Sequence, residues 1–271
     1  MLRDDILKEI IRGKGDPVSG QALADKYHVS RNAIWKHVLI LQEQGYMIKV
    51  IRNKGYYIPK EADMISEEGI REYLIEDLKA ANIKFYDRLD STNDEAKRLL
   101  SMDSDISPAI IVADEQTFGR GRNGKMFYSP KGGVYLSFVL SKDIPSFEAN
   151  VVTMAAAVAI TRVIEPIIKN KLDLKWVNDV FFDGKKVAGI LTEAVTDLET
   201  NTIKTIILGI GLDYNLADIP DEFKHVVGNL DIKDIPRIEI IGKIISEFYL
   251  LIQEFNVEVI EEEYFARMLE D

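Results

Sequence analysis

The chain has 271 residues, 46% hydrophobic and 29% charged, more than one hydrophobic core usually organises, so two domains are expected. The absence of cysteine excludes disulfides, thiolate metal sites and a cysteine nucleophile, and suits a reducing cytoplasm. The net charge of −11 argues against generic nucleic-acid affinity, but residues 1–60 hold 11 Lys and Arg against 6 Asp and Glu, leaving +5 there and −16 in the remainder. A basic head on an acidic body is the asymmetry expected when one small domain meets phosphate and the other does not.

The opening MLRDDILKEIIRGKGD is charged and lacks an apolar h-region, so it does not read as a signal peptide. Leu2, Ile6, Leu7, Ile10 and Ile11 recur at helical spacing and predict a first helix ending near Gly13. Ser19 caps a second short helix, and Ser30 a third that runs to Gln44 before Gly45. On the third helix Ile34, Val38 and Leu41 face the core, leaving Arg31, Asn32, Lys36 and His37 on the other side. Trp35 falls off the apolar stripe and reads either as a DNA contact or as a partly covered surface aromatic. MIKVIRNKGYYIP then reads as a hairpin with a basic tip. Three helices and a basic hairpin predict a winged helix-turn-helix over residues 1–60. Arg31, Asn32 and Lys36 would enter the major groove, with Arg52 and Lys54 on phosphates or the minor groove. A three-helix module that binds protein through its basic face is the alternative.

A polar linker is expected over 61–65, followed by a larger domain over 66–271. Its pattern predicts a helix from Ser66 to Ala80, a strand at IKFYDRL, a helix from Asn93 to Ser101, and strands at AIIVADE and GGVYLSFVL. A long apolar helix from Glu148 to Lys169 follows, then four β-rich runs (LKW, DVFF, KKVAGILTEAV, TIKTIILGIGLDYN) and two terminal helices. Without strict alternation of strand and helix, this is α+β: a mixed, mainly antiparallel sheet with flanking helices. Apolar stretches such as Ala155–Ile160 read as too short to span a bilayer, so no membrane partner and a cytoplasmic location are expected.

FGRGRNGKMFYSPKGG holds five glycines, two arginines, two lysines and no acid. Glycines let backbone N–H groups approach an anion, and Arg120 and Arg122 bring two planar donor forks together. The segment lacks Walker A spacing; it suits a phosphate, or else is a plain surface hairpin. Ser91, Thr92 and Asn93 open a helix, which helix capping alone would explain. Gln116 follows a strand, and Lys175 ends LKW just before Asn178 and Asp179. His28, His37 and His225 are scattered, so no protein-held metal is expected.

In order and spacing, DSTNDEA, ADEQTFGRGRNGKMFYSPKGGVYLS, LKWVNDV, GKKVAGILTE and GIGLDYN resemble the blocks of the bifunctional biotin protein ligase/biotin operon repressor family. The resemblance implies a class II aminoacyl-tRNA synthetase/biotin ligase-like central domain. It also implies two half-reactions: biotin and ATP, with Mg2+ arriving on ATP, give biotinyl-5′-AMP, and a lysine of a biotin carboxyl carrier protein of acetyl-CoA carboxylase takes the biotinyl group. Operator DNA and a homodimer formed on ligand binding are the other implied partners.

By the same carry-over, Ser91, Thr92, Asn93, Gln116, Arg120, Gly121, Arg122 and Lys175 bind biotin, and Lys175, Arg120 and Arg122 are catalytic. Arg120, Arg122, Phe127, Asn178, Asp213 and Asn215 meet ATP or the adenylate. The family's KWPND has Val177 for its proline, its usual tryptophan is Phe127, and its GIGINVN becomes GIGLDYN, which puts Asp213 where asparagine approaches the nucleotide. The family's C-terminal SH3-like barrel is expected to be absent or truncated. A biotin-sensing regulator with little or no ligase activity is therefore the alternative function. A lipoate ligase would lack the winged helix.

Overall fold

Residues 2–13, 15–59 and 62–269 are described in the computed structural model. They divide into one unit of residues 1–73 with 233–240 and another of 74–232 with 241–271. The first unit thus extends beyond the winged helix expected over 1–60. Lys60 and Glu61, the end of the expected winged helix and the start of the expected linker, lie outside the described residues, whereas Asp63 is fixed: its carboxylate and carbonyl accept from the backbone N–H and guanidinium of the buried Arg237.

In the first unit, α1 (Leu2–Arg12) buries Ile6, Leu7 and Ile10. Helix α2 (Gly20–Lys26) is capped by Ser19, whose hydroxyl accepts from Gln21 N at 3.2 Å. Ser30 caps α3 (Arg31–Glu43) through Ala33 N at 3.2 Å, and Ile34, Val38 and Leu41 are buried as the spacing predicts. Strands β1 (Lys49–Ile51) and β2 (Gly55–Tyr57) pair antiparallel around the 52–54 tip. Val18 adds a bridge to Tyr56, tying the approach to α2 against the hairpin. This is the winged helix.

The helix expected from Ser66 to Ala80 stops early. Helix α4 covers only Glu67–Glu72, and a separate 3-10 turn follows at Glu76–Leu78. Between them Ile75 is extended and donates its N–H to Ser246 Oγ at 3.1 Å instead of to a helical carbonyl.

The second unit is built on a seven-stranded sheet, ordered β3-β4-β5-β9-β8-β7-β6. Its strands are β3 (Asn82–Tyr86), β4 (Ala109–Ala113), β5 (Val134–Pro145), β6 (Asp173–Lys175), β7 (Asp179–Phe182), β8 (Lys185–Asp197) and β9 (Thr202–Leu212). Only β3 and β4 run parallel, joined through α5 (Thr92–Met102); every other pair is antiparallel. Strand alternation separates two faces. Ser137 and Gly209 look toward α5, where Asn93 meets both. Thr192 and Phe138 look the other way, to Thr153 of α6 (Ala149–Ile168) and Phe248 of α7 (Arg237–Glu254). Residues 267–269, after α8 (Val257–Phe265), pair with Leu174 and cover the β6 edge.

By length and composition α6 could cross a membrane, with mean hydropathy 1.8 over its apolar window, contrary to the sequence expectation that no stretch is long enough. Its residues from Val151 to Thr161 are buried, and it packs on β8, β9 and α8, as a core helix does.

Candidate active site

The polar cluster at 91–93 both caps a helix and lines a cavity. Ser91 is the N-cap of α5, its hydroxyl accepting from Asp94 N at 3.4 Å. Thr92 offers its backbone N–H (2.9 Å) and its hydroxyl (3.2 Å) to Gln116 Oε1. Gln116 Nε2 donates to Ser129 Oγ at 3.0 Å, so its acceptor is filled and one amide hydrogen is left for a ligand. Asn93 is committed further. It donates to Leu191 O (3.3 Å) and Glu193 Oε2 (2.9 Å) and accepts from Ser137 at 2.5 Å. That anchors α5 to the sheet rather than leaving a free donor in the cavity.

The GRGRNGK segment is a β-hairpin whose tip stands at the cavity mouth. Phe127 N–H donates to Gly119 O at 2.8 Å, Gly121 N–H to Lys125 O at 2.7 Å, and Arg120 bridges Met126. At its tip Asn123 and Gly124 take positive φ (57° and 73°), which asparagine and glycine tolerate best. Arg120 pairs with Asp94 at 2.7 Å, while Arg122 makes a 3.4 Å contact with Asn178 Oδ1. The Phe127 ring lies against Gly189 and Gly211, cross-strand partners whose lack of side chains leaves room for it.

These residues enclose a cavity of about 590 Å3. Ten positions singled out from sequence line it together: Ser91, Thr92, Asn93, Gln116, Arg120, Gly121, Arg122, Phe127, Lys175 and Asn178. Asp213 and Asn215 do not. Asn215 donates its N–H to Gly132 O at 2.9 Å and staples the entry to β5. Asp213 is 2% exposed, its N–H bound to Val187 O at 2.7 Å and its Oδ1 without a hydrogen bond. Burial holds its carboxyl well above the usual range, partly offset by the Lys186 charge.

Sequence reasoning passed over Lys186 and the glycine pair, and named Asp179 beside Asn178 without giving it a role. Lys186 lines the cavity, 2.7 Å from Asp179 Oδ1 and 5.5 Å from the Phe127 ring centre. The available signal was a charged residue immediately before the apolar run VAGIL of GKKVAGILTE, a block noted as a whole. Lys175 is at the rim, exposed and without an ion pair among the described residues. The Trp176–Val177 peptide bond, where the family has proline, is cis. Cations from three elements thus face one cavity whose walls otherwise carry glycine, aliphatic, aromatic, hydroxyl and amide groups and the Asp179 carboxylate, an arrangement able to hold an anionic, partly apolar ligand.

The residues assigned to DNA, Arg31, Asn32 and Lys36 on α3 and Arg52 and Lys54 on the wing, are all exposed.

A winged helix and an α+β unit around a cationic cavity define a DNA-binding protein with an anion-handling site. Residues 85–213 match the Biotin/lipoate A/B protein ligase family and residues 3–57 an HTH domain. The bifunctional ligase/repressor BirA of Bacillus subtilis is 35% identical over 232 residues, covering 84% of this chain and 70% of the relative. That of Escherichia coli is 28% identical, covering 76% and 62%. The biotin protein ligase of Aquifex aeolicus, solved with biotin and ATP, superposes with a TM-score of 0.55 at 27% identity, covering 69% of this chain and 78% of that one. The chain belongs to the family of bifunctional biotin protein ligases and repressors.

Proposed function

We propose that the cavity joins biotin to AMP and that the chain passes the biotinyl group to a carrier protein and represses transcription. The observation that carries the ligase reading is the meeting in one cavity of ten positions that lie in three separate blocks of the sequence. A biotin carboxylate oxygen attacks the α-phosphorus of ATP, the bond to the bridging oxygen breaks, and pyrophosphate leaves. The carrier's lysine amine then attacks the acyl carbon, AMP departs and a proton is released.

In-line displacement at phosphorus needs positioning and charge neutralisation more than a covalent nucleophile. Among the described residues Arg122 and Lys175 are without ion pairs, and Lys186 can exchange Asp179 for phosphate. Gln116 gives its remaining amide hydrogen to biotin, and Asn93 positions the helix N-terminus. Phe127 and its glycine floor form an apolar wall. The hairpin at 119–125 closes over the adenylate.

Among the described residues no three His, Cys, Asp or Glu gather as a metal site. The Asp179 carboxylate, which stands in the cavity beside Lys186, nevertheless fits a hard cation carried largely by phosphate. Asp179, which lines the cavity, and Asn178 would hold Mg2+, which when bound neutralises phosphate charge. In its repressor role the winged helix binds a two-fold operator as a homodimer promoted by the adenylate. The protein acts in the cytoplasm.

Pyrophosphate release from biotin and ATP, followed by mass spectrometry of a carrier domain, tests the ligase reading. No pyrophosphate above background would overturn it; adenylate formed but not transferred would leave the biotin-sensing regulator.

A further inference from the structure

Helix α3 presents a second, outward stripe that neither the core nor any ion pair among the described residues accounts for. Arg31, Asn32, Trp35, Lys36 and Leu39 stand at i, i+1, i+4, i+5 and i+8 on the side away from Ile34, Val38 and Leu41. Trp35 is 49% exposed and Leu39 36%. Among the described residues the Trp35 indole makes no ring contact and no hydrogen bond. A large aromatic left half in water at the centre of a helix face calls for a partner.

The surroundings say which kind. Before Glu43, in its last turn, α3 carries no acid, while Arg31 and Lys36 flank the indole and exposed Lys49, Arg52 and Lys54 stand on the wing. A cationic frame around an apolar strip fits a polyanion that offers an apolar group at the depth a helix reaches. On the base edges of the major groove that group is the C5-methyl of thymine, every other distinguishing feature there being a donor or an acceptor. The N-terminal half of a recognition helix is the part that meets base edges, and Trp35 lies in it.

We infer that Trp35, extended by Leu39, reads thymine methyl groups in the operator, making it a specificity-determining residue while Arg31, Lys36 and the wing supply phosphate contacts. The inference rests on the DNA-binding reading above. Trp35 differs from the polar residues of α3 in that its contribution follows a methyl group and not ionic strength.

The test uses the full chain with biotin and ATP. Duplexes bound by the wild type are enriched from a random library, and each thymine of the winner is replaced singly by deoxyuridine, which removes only the methyl. Wild type should lose about three- to fivefold in affinity at one or two positions, the worth of one buried methyl. Trp35→Ala should bind more weakly overall, be indifferent to deoxyuridine at those positions, and keep the wild-type dependence on salt. Trp35→Phe should retain part of the discrimination, and Leu39→Ala should lose it at a neighbouring thymine.

Should Trp35→Ala fail to fold, as read by circular dichroism, these last two variants carry the test. A Trp35→Ala protein that tells thymine from deoxyuridine as well as wild type does would overturn the inference. So would one with unchanged DNA affinity but an altered oligomeric state, which would make the stripe a protein contact. If the wild type enriches no duplex, the DNA-binding reading falls and the inference with it, a failure seen before any variant is made.

Discussion

Lys186 Nζ lies 2.7 Å from Asp179 Oδ1, an ion pair across the β7–β8 hairpin inside the cavity. It is a close approach of charges rather than an aligned hydrogen bond, since Asp179 Oδ1 has no hydrogen-bond partner. A lysine held this way is positioned yet exchangeable, whereas Lys175 waits at the rim. Lys186→Ala should lower adenylate formation by about 10²–10³-fold, and Lys175→Ala by less. Pyrophosphate release in single turnover measures both; a larger loss in Lys175→Ala would reverse the assignment.

Asp213 is buried with an unpaired oxygen, faced by Lys186 from β8 and by Tyr128, whose hydroxyl pKa is itself raised by burial and by Asp218 and Asp213. Its folded pKa lies above its unfolded one. The cost to stability is therefore absent below the ordinary carboxylate range and grows as pH rises through the window between the two values. Asp213→Asn should be more stable than wild type at pH 7, on the order of 1–3 kcal/mol, with the advantage shrinking toward pH 4. Urea melts at the two pH values check this, and equal gains at both would contradict it.

Gly209 backs directly onto the Asn93 amide, and a methyl there collides with a side chain locked by three hydrogen bonds. Gly209→Ala should cost about 1–3 kcal/mol by overpacking and raise the KM for biotin by shifting the start of α5. Isothermal titration with biotin separates the two effects: a folded variant with wild-type affinity would show that α5 can yield without harm.

Gln116→Ala leaves the Thr92 N–H without its acceptor and takes from the Ser129 hydroxyl, which still donates to Phe127 O, the amide it accepts from. Weaker biotin binding should accompany a stability loss of about 1–2 kcal/mol, whereas Gln116→Glu, which keeps the acceptor for Thr92, should recover most of the stability and little of the affinity. Thermal melts with and without biotin test both statements.

On the wing, Lys54→Ala should weaken binding to all duplexes alike and reduce the slope of log affinity against log salt by about 1. Anisotropy titrations over a salt series provide the measurement, and a sequence-selective loss would instead place Lys54 on base edges.

Local pattern determined much of this protein. Ser19, Ser30 and Ser91 cap helices because a side-chain oxygen before a helix can satisfy its free N–H groups, a relation that needs only neighbours in sequence. The apolar stripe of α3 and the strand runs followed equally from period. The ten cavity positions were legible because they stand in blocks that resemble, in order and spacing, those of the biotin ligase family.

What the chain could not reveal locally was decided by distant partners. Helix α4 ends early because Ile75 gives its N–H to Ser246. Asn93, assigned to biotin, spends its amide on Ser137, Leu191 and Glu193. Asp213 and Asn215 turn away from the cavity, and Lys186 turns into it beside a bulge between β7 and β8. Each depends on which groups the sheet brings within hydrogen-bonding reach, and that is set by strand order and register, which no short stretch of residues contains.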